Sequence, residues 1–271
     1  MTLQPYTEKE RPVLSAEEKA RLAAEFSAHI ESQKRPVWRP ILEEGDSNEP
    51  VSKYYGTPWL ARDEKWPECN GEPMLFICQL EIDKLPSPTR EHLGGKGLFQ
   101  FFYHPDPANY GEDMLVRTVH PDGPTSVTEI PDIDLSDLID DEDGCITHLL
   151  RPRLVVGWEE HAEYPDWEEE PDLYENLYNS GMEYSEIPSF QNFWGDKLFG
   201  WSSWVQPKMA TEFDDGTTYV PVLQLSADDY PYKDVERFPG LAPGMFAGDG
   251  FAYIYVNSKD PTDFHHSWQC T

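Results

Sequence analysis

Apolar positions recur at helical spacing near the start of the chain. Ser15 and Glu18 match a capping box, in which each side chain accepts a hydrogen bond from the other residue's backbone N–H. One apolar stripe follows at intervals of four residues. The pattern predicts a helix over residues 16–32, ended by Pro36, and then an extended segment. The stripe is formed by Leu22, Phe26 and Ile30.

From residue 51 onward the pattern changes to short apolar and aromatic runs bounded by Pro or Gly, which is typical of strands. The chain has 25 prolines, so strands should be short and turns frequent. No regular alternation of strands with long helices is visible in the sequence. We therefore predict an α+β fold of antiparallel sheets with the N-terminal helix packed outside. The predicted strands are 74–82, 97–103, 115–119, 154–158, 219–226 and 251–257.

Three motifs occur twice in the same order and with similar spacing. The first set is Lys53–Gly56, Phe76–Leu80 and Gly97–Tyr103, and the second is Lys197–Gly200, Val222–Leu225 and Gly250–Val256. An ordered triple match indicates a duplicated structural unit. Residues 51–130 and 195–271 should therefore superpose as β-rich halves.

The domain organisation follows from this repeat. Residues 1–50 should hold the helix and an extended linker, and residues 51–271 the duplicated domain. Between the halves lies an insert of about residues 118–196. Lys53 and Lys197 could form structural ion pairs or turn hydrogen bonds in their own halves, or could present two cations at a cleft between them. Gln79 and Gln224 lie in apolar strands, and each amide should tie down backbone in its own half.

Charge narrows the classes of partner. The formal net charge is −30, which argues against nucleic acid and against anionic membranes, because both are polyanions. A basic protein partner is compatible with it. No apolar run is long enough for a transmembrane helix, and no signal-peptide pattern is present. We therefore expect a cytoplasmic protein with free thiols.

The insert carries most of this charge. Residues 118–196 contain 21 acidic residues and two basic ones. Aromatic residues are threaded through the segment, which distinguishes it from disordered acidic tracts. A protein-binding surface typically combines aromatic rings, which are buried against the partner, with charged groups, which accelerate its approach. The predicted binding residues, with Trp167 or Tyr174 as buried anchors, are Asp140, Asp141, Asp143, Glu159, Glu160, Asp166, Trp167, Glu168, Glu169, Glu170, Asp172 and Tyr174.

Catalytic signatures are missing from the sequence. Gly200 to Trp204 lacks the second glycine of a nucleophile elbow, and no Walker A, dinucleotide or zinc-protease motif occurs. His265, His266 and Cys270 have plausible local spacing for zinc but no fourth ligand. We expect no catalytic residues, no metal and no cofactor. The alternatives are a module that binds a small polar ligand between the halves, and an enzyme of unrecognised type, whose residues converge only in the fold.

The repeated motifs, together with Trp66-Pro67 and the terminal Asp263-Phe264 and Trp268-Gln-Cys270, resemble the bacterial YwqG-like proteins. The resemblance runs from about residue 51 to the end. Members often carry a Cys-x-x-Cys near Trp-Pro, of which this chain keeps only Cys69. The resemblance implies an α+β fold with an internal repeat and no established activity.

Such domains also occur beside toxin genes in bacterial polymorphic toxin systems. The resemblance therefore implies a cytoplasmic immunity protein that binds a cognate toxin. Toxins that act on nucleic acid or on nucleotides have electropositive clefts, which an acidic aromatic surface could plug. We expect inhibition by occlusion of the active site, because reversal of the damage would need a catalytic constellation.

Overall fold

The computed structural model describes residues 11–104, 113–133, 135, 150–190, 193, 195–227, 241–242, 245–246 and 250–270. The chain divides into two compact units. The first unit comprises Met1–Arg35 and Glu163–Asn192, and the second comprises Pro36–Ala162 and Phe193–Thr271. Part of the predicted acidic insert therefore folds in the same unit as the N-terminal helix.

The helices in the described residues are α1 (Ala16–Ser32), α2 (Ser87–His92) and α3 (Pro171–Asn179). The strands are β1 (Arg35–Glu44), β2 (Lys53–Tyr54), β3 (Glu68–Cys69), β4 (Glu72–Pro73), β5 (Leu75–Glu81), β6 (Leu98–Tyr103), β7 (Met114–Val119), β8 (Arg153–Glu163), β9 (Lys197–Phe199), β10 (Tyr219–Ser226), β11 (Phe251–Asn257) and β12 (Asp260–Gln269). The protein is thus mostly β-sheet with few helices. All six predicted strands are confirmed, and β1 falls in the predicted extended segment. The helices α2 and α3 and the strands β2, β3, β4, β9 and β12 were not predicted.

The N-terminal helix forms as its sequence predicts. The capping box is present, with the Ser15 hydroxyl 3.3 Å from the Glu18 N–H and the Glu18 carboxylate 2.8 Å from the Ser15 N–H. Phe26 and Ile30 are buried on one face of α1. They pack in the first unit against a cluster from the later segment, made of Leu177, Met182 and Ile187.

Ten strands of the second unit form one sheet among the described residues. Its order is β12-β11-β10-β9-β1-β8-β2-β5-β6-β7. Read outward from the central pair β1 and β8, each half runs from a very short strand through successive antiparallel neighbours to an edge. Counted outward from the centre, the two halves of the sheet therefore have strands in the same order, one very short strand followed by three longer ones.

The sheet is nearly closed, because its edge strands β7 and β12 contact each other. The Trp268 indole N–H donates to the Asp113 carboxylate at 2.7 Å, and the Phe99 and Phe264 rings meet edge to face at 5.9 Å. Alternate side chains point to opposite faces of a strand. In β6, Phe99 and Phe101 join the main core, while Phe102 packs on the other face with Trp66.

Candidate functional site

The predicted binding residues fall in three places. Asp140, Asp141 and Asp143 lie outside the described residues. Glu159 and Glu160 lie exposed on β8. The remaining seven lie in the first unit and are Asp166, Trp167, Glu168, Glu169, Glu170, Asp172 and Tyr174.

A capped turn places the acidic run of the first unit. The Asp166 carboxylate accepts hydrogen bonds from the N–H groups of Glu168 at 3.0 Å and Glu169 at 3.3 Å. The turn leads into α3, whose first residue is Pro171, a position that tolerates the missing N–H. Local hydrogen bonding thus fixes Trp167 between the capping carboxylate and the helix.

Trp167 and Tyr174 line the same groove, which has a volume of about 2170 Å³. The groove is rich in rings and prolines. Tyr178 and Tyr184 stack there with centroids 4.6 Å apart and planes 14° apart. The remaining aromatic and proline lining consists of Pro12, Pro171, Pro188 and Phe190. Sequence reasoning singled out Trp167 and Tyr174 but missed the groove that they share.

The groove also gathers exposed apolar surface. Val13 is 99% exposed, Trp167 60% and Tyr184 63%. These are the large hydrophobic residues of the first unit that stand exposed among those described, and all three line the groove. Scattered exposed apolar residues are normal in soluble proteins, but a cluster rimmed by polar groups marks an interaction site.

The cations that line the groove are engaged within the first unit. Arg11 pairs with Glu183 at 2.6 Å and its guanidinium lies 3.9 Å from the Tyr178 ring centroid. Lys19 pairs with Glu186 at 2.6 Å. Both residues are therefore partly neutralised by their own carboxylate partners.

Acidic groups dominate the rest of this surface. Residues 163–190 include nine acidic residues and neither Lys nor Arg. Among the described residues, no salt bridge engages Glu168, Asp172 or Glu175. The field at the groove is consequently negative, and it attracts cationic groups.

The surroundings of Tyr174 determine both the packing of its ring and the pKa of its hydroxyl. Its ring packs edge to face on Phe26 with centroids 5.1 Å apart. Burial, with the charges of Asp166 and Glu170, raises the pKa of Tyr174 to about 12. The hydroxyl therefore stays protonated at neutral pH and can donate a hydrogen bond.

The second unit contains a buried lysine in each half of its sheet. Lys53 and Lys197 are 0% and 1% exposed. Lys53 donates to the Asp46 carboxylate at 2.7 Å and to the Ser47 carbonyl, and burial lowers its pKa against the opposing effect of Asp46. Lys197 donates to the Phe193 carbonyl at 2.8 Å and to the Ser203 hydroxyl at 3.1 Å. The interpretation of both as structural cations is supported, and two cations displayed at a cleft are excluded.

Each buried lysine pairs across the sheet with a glutamine, Lys53 with Gln79 and Lys197 with Gln224. The Gln79 amide accepts from the Trp59 N–H at 2.8 Å and donates to the Val51 carbonyl at 2.9 Å.

Gln224 makes the matching bonds, accepting from the Ser203 N–H at 2.9 Å and donating to the Gly195 carbonyl at 2.8 Å. The prediction that each amide ties down backbone in its own half is confirmed.

Asp196, next to Lys197, is a partly buried acid of the second unit. Its two oxygens accept from the N–H groups of Ser226 and Leu241, each at 2.9 Å. Burial raises the pKa of Asp196 to about 7, although these N–H groups and the charges of Arg39 and Arg153 oppose the change. The carboxyl can therefore hold or release a proton near neutral pH.

Two neighbours of Asp196, Tyr54 and Cys78, stay protonated at neutral pH. Burial raises the pKa of Tyr54 and of the Cys78 thiol, and Asp196 contributes to both shifts. The Tyr54 hydroxyl is buried and has no hydrogen-bond partner among the described residues. Neither residue is a nucleophile at neutral pH, because the thiolate and the phenolate are disfavoured.

Metal and membrane sites were also sought in the parts of the chain that the structure describes. There, no group of three or more His, Cys, Asp or Glu residues could hold a metal ion. In the same parts, no helix combines the length and the apolar character needed to cross a bilayer.

Comparison with known proteins gives a family. No curated protein matches the chain significantly. The family DUF1963, described as a domain of unknown function, matches residues 52–270. The match covers most of the chain, namely the second unit from residue 52 onward and the later segment of the first unit, and it leaves out α1 and β1. The chain therefore belongs to the DUF1963 family of domains of unknown function.

Proposed function

We propose that this protein is a bacterial immunity protein that binds a cognate toxin through the acidic aromatic surface of its first unit. The observation that carries the proposal is the groove that Trp167 and Tyr174 both line, with Trp167 60% exposed. Among the described residues, no salt bridge engages the nearby carboxylates of Glu168 and Glu175. Aromatic residues dominate binding energy at protein interfaces, and charge accelerates encounter. That the partner is a toxin rests on the resemblance to the YwqG-like proteins.

The partner should be basic. A toxin directed at nucleotides or nucleic acid presents an electropositive cleft, and carboxylates such as Glu168 and Asp172 complement it. The same charge disfavours direct binding to nucleic acid or to an anionic membrane. A cytoplasmic location belongs to this proposal, because an immunity protein must meet its toxin inside the cell.

Inhibition proceeds by covering the toxin's active-site entrance, without catalysis by the bound protein. Potency then comes from slow dissociation, set by the aromatic contacts, while the carboxylates set the rate of association. This mechanism predicts that the protein does not restore a target that a toxin has already modified. Restoration in a mixture without active toxin would instead show an enzyme.

We further propose that the two halves of the second unit are duplicated copies of one structural unit and serve as a scaffold. Its support is the mirrored strand order and the paired contacts of Gln79 and Gln224. The scaffold positions no catalytic group in this view. Ligand binding between the halves is the second candidate, favoured by the buried Tyr54 hydroxyl near Asp196, which has no hydrogen-bond partner among the residues that the structure describes.

The test is co-expression with the toxin encoded beside the gene. The wild-type chain should protect cells from the toxin. A variant with Glu168→Gln, Glu169→Gln and Asp172→Asn should associate with the purified toxin at least several-fold more slowly at low salt, and less so at high salt. The control changes Glu43, Glu49 and Glu68 to Gln, since these exposed residues lie in the second unit. Equal association rates for both triple variants would contradict the assignment of the surface.

A further inference from the structure

We infer that the groove of the first unit binds an extended, basic, proline-containing segment that projects from the partner. The inference rests on the proposed function and names the chemistry of the bound element. It also changes the expected geometry of the complex. A surface that plugs a toxin's cleft must project, whereas Trp167 and Tyr174 line a concave groove that can receive a segment of the partner.

The shape and rings of the groove favour an extended chain. Aromatic-lined grooves recognise polyproline II segments, whose rings pack flat against aromatic faces and whose conformation is already restricted before binding. Here Tyr184, which is stacked on Tyr178 with planes 14° apart and is 63% exposed, supplies one such platform. Trp167 supplies a second ring in the same groove.

The exposed ring of Tyr184 is held in place before a ligand arrives. Tyr184 lies in a short helical turn, Tyr184–Glu186, and the carboxylate of Glu186 is bound by Lys19 at 2.6 Å. Arg11 holds the preceding residue, Glu183, at the same distance. Preorganised aromatic residues lose little side-chain freedom on binding, which increases affinity.

The charge of the groove selects a basic segment. Glu175 lines the groove and is joined by no salt bridge among the described residues. Glu168 and Asp172 flank the lining residues Trp167 and Pro171 in sequence. Arg or Lys side chains between prolines can pair with these carboxylates and can lie over the exposed rings of Trp167 and Tyr184.

The experiment titrates the full-length protein with three synthetic nonapeptides. They are three repeats of Pro-Pro-Arg, of Pro-Pro-Glu and of Gly-Gly-Arg, and binding is followed by calorimetry and by Trp fluorescence. We expect the Pro-Pro-Arg peptide to bind at least tenfold more tightly than either other peptide. Equal binding by Gly-Gly-Arg would show attraction by charge alone and would overturn the inference.

Two surface variants locate the binding. Trp167→Ala and Tyr184→Ala remove exposed rings, so the first unit should remain folded, which circular dichroism checks. Each should weaken Pro-Pro-Arg binding at least tenfold. Phe213→Ala is the matched control, since Phe213 is 42% exposed in the second unit and should leave affinity unchanged. Affinity that survives both Trp167→Ala and Tyr184→Ala would overturn the inference.

Other occupants of the groove give different results. Binding that develops only after deletion of residues 1–10 would assign the groove to the chain's own N-terminus. Self-association that Trp167→Ala abolishes would assign it to a second copy of the chain. Either result overturns the inference. Protection of cells from the toxin by the Trp167→Ala variant would do so as well, while leaving the immunity function itself intact.

Discussion

Gln79 and Gln224 hold the backbone in the same way in the two halves of the sheet. Each amide accepts from an N–H six residues after a buried lysine and donates to a carbonyl two residues before it. The third strand of each half adds a donor to the same loop residue. Gln100 donates to the Trp59 carbonyl and Tyr253 to the Ser203 carbonyl, each at 2.7 Å. One loop-anchoring arrangement is therefore built twice, with different side chains at its third position.

The first prediction concerns these two amides. Gln79→Leu and Gln224→Leu should each lower the free energy of unfolding by about 2–4 kcal/mol, because each leaves a backbone N–H and a carbonyl buried without partners. Denaturant titration of the purified variants measures the loss. Gln206→Leu is the control, since its side-chain bond to the Cys270 carbonyl is exposed, and it should cost less than about 1 kcal/mol. A loss at Gln79 no larger than at Gln206 would refute the anchoring role.

The second prediction concerns Gly56, which has φ +74° and follows the short strand β2. A methyl group there would lie 2.4 Å from a carboxylate oxygen of Asp46 and would displace the partner of Lys53. Gly56→Ala should therefore destabilise the protein by about 2 kcal/mol or more.

Two other glycines separate the effect of backbone strain from that of the clash with Asp46. Gly216 has φ +82° with open space around its Cβ position, so Gly216→Ala reports backbone strain alone. Gly123 has open space and no positive φ, so Gly123→Ala should be nearly neutral. Thermal unfolding should rank Gly56→Ala as the most destabilising, Gly216→Ala next and Gly123→Ala last. A different order would show that the Asp46 contact tolerates the methyl group.

The third prediction is a pH dependence set by Asp196. Its pKa of about 7 in the folded protein exceeds its ordinary value of 3.8, so the folded state binds this proton more tightly than the unfolded state. The resulting stabilisation is complete below pH 3.8 and is lost as the pH rises through 7. Relative to Asp196→Asn, the wild type should therefore lose a few kcal/mol of unfolding free energy across this range.

The measurement is denaturant unfolding of both proteins at several pH values. Asp196→Asn replaces one hydrogen-bond acceptor by an NH₂ group facing an N–H, which adds a penalty independent of pH. The difference between the two curves isolates the titration of Asp196. A constant difference between pH 4 and 8 would show that Asp196 stays ionised in the folded protein.

The sequence predicted the central strands well because their signal is strong. Apart from Gln100 and Asn257, the residues of β6 and β11 are apolar or aromatic on both faces, and nearly all are buried. Strand β12 was missed because it is an edge strand, and its run from Asp260 through His265 and His266 to Gln269 reads as polar. Pairing with β11 and contact with β7 make it a strand, and both depend on distant residues.

The candidate site was predicted only in part. Trp167 and Tyr174 stand out as aromatic residues in an acidic segment, and they do line one groove. Helix α3 was missed because Pro171 reads as a turn, although Leu173, Tyr174, Leu177 and Tyr178 recur at helical spacing. The opposite lining, including Arg11 and Val13, could not be predicted, since no local pattern links it to residues more than 150 positions later.

The first unit is assembled from two segments that are far apart in the sequence, and this separation has a consequence for biosynthesis. The apolar face of α1, with Phe26 and Ile30, finds its partners Leu177 and Met182 only after the ribosome has made most of the chain. At about 5–20 residues per second, the helix waits roughly 8–30 s with that face uncovered. The groove therefore cannot form before its last lining residue, Phe190, has been made, and a nascent chain cannot capture its partner before then.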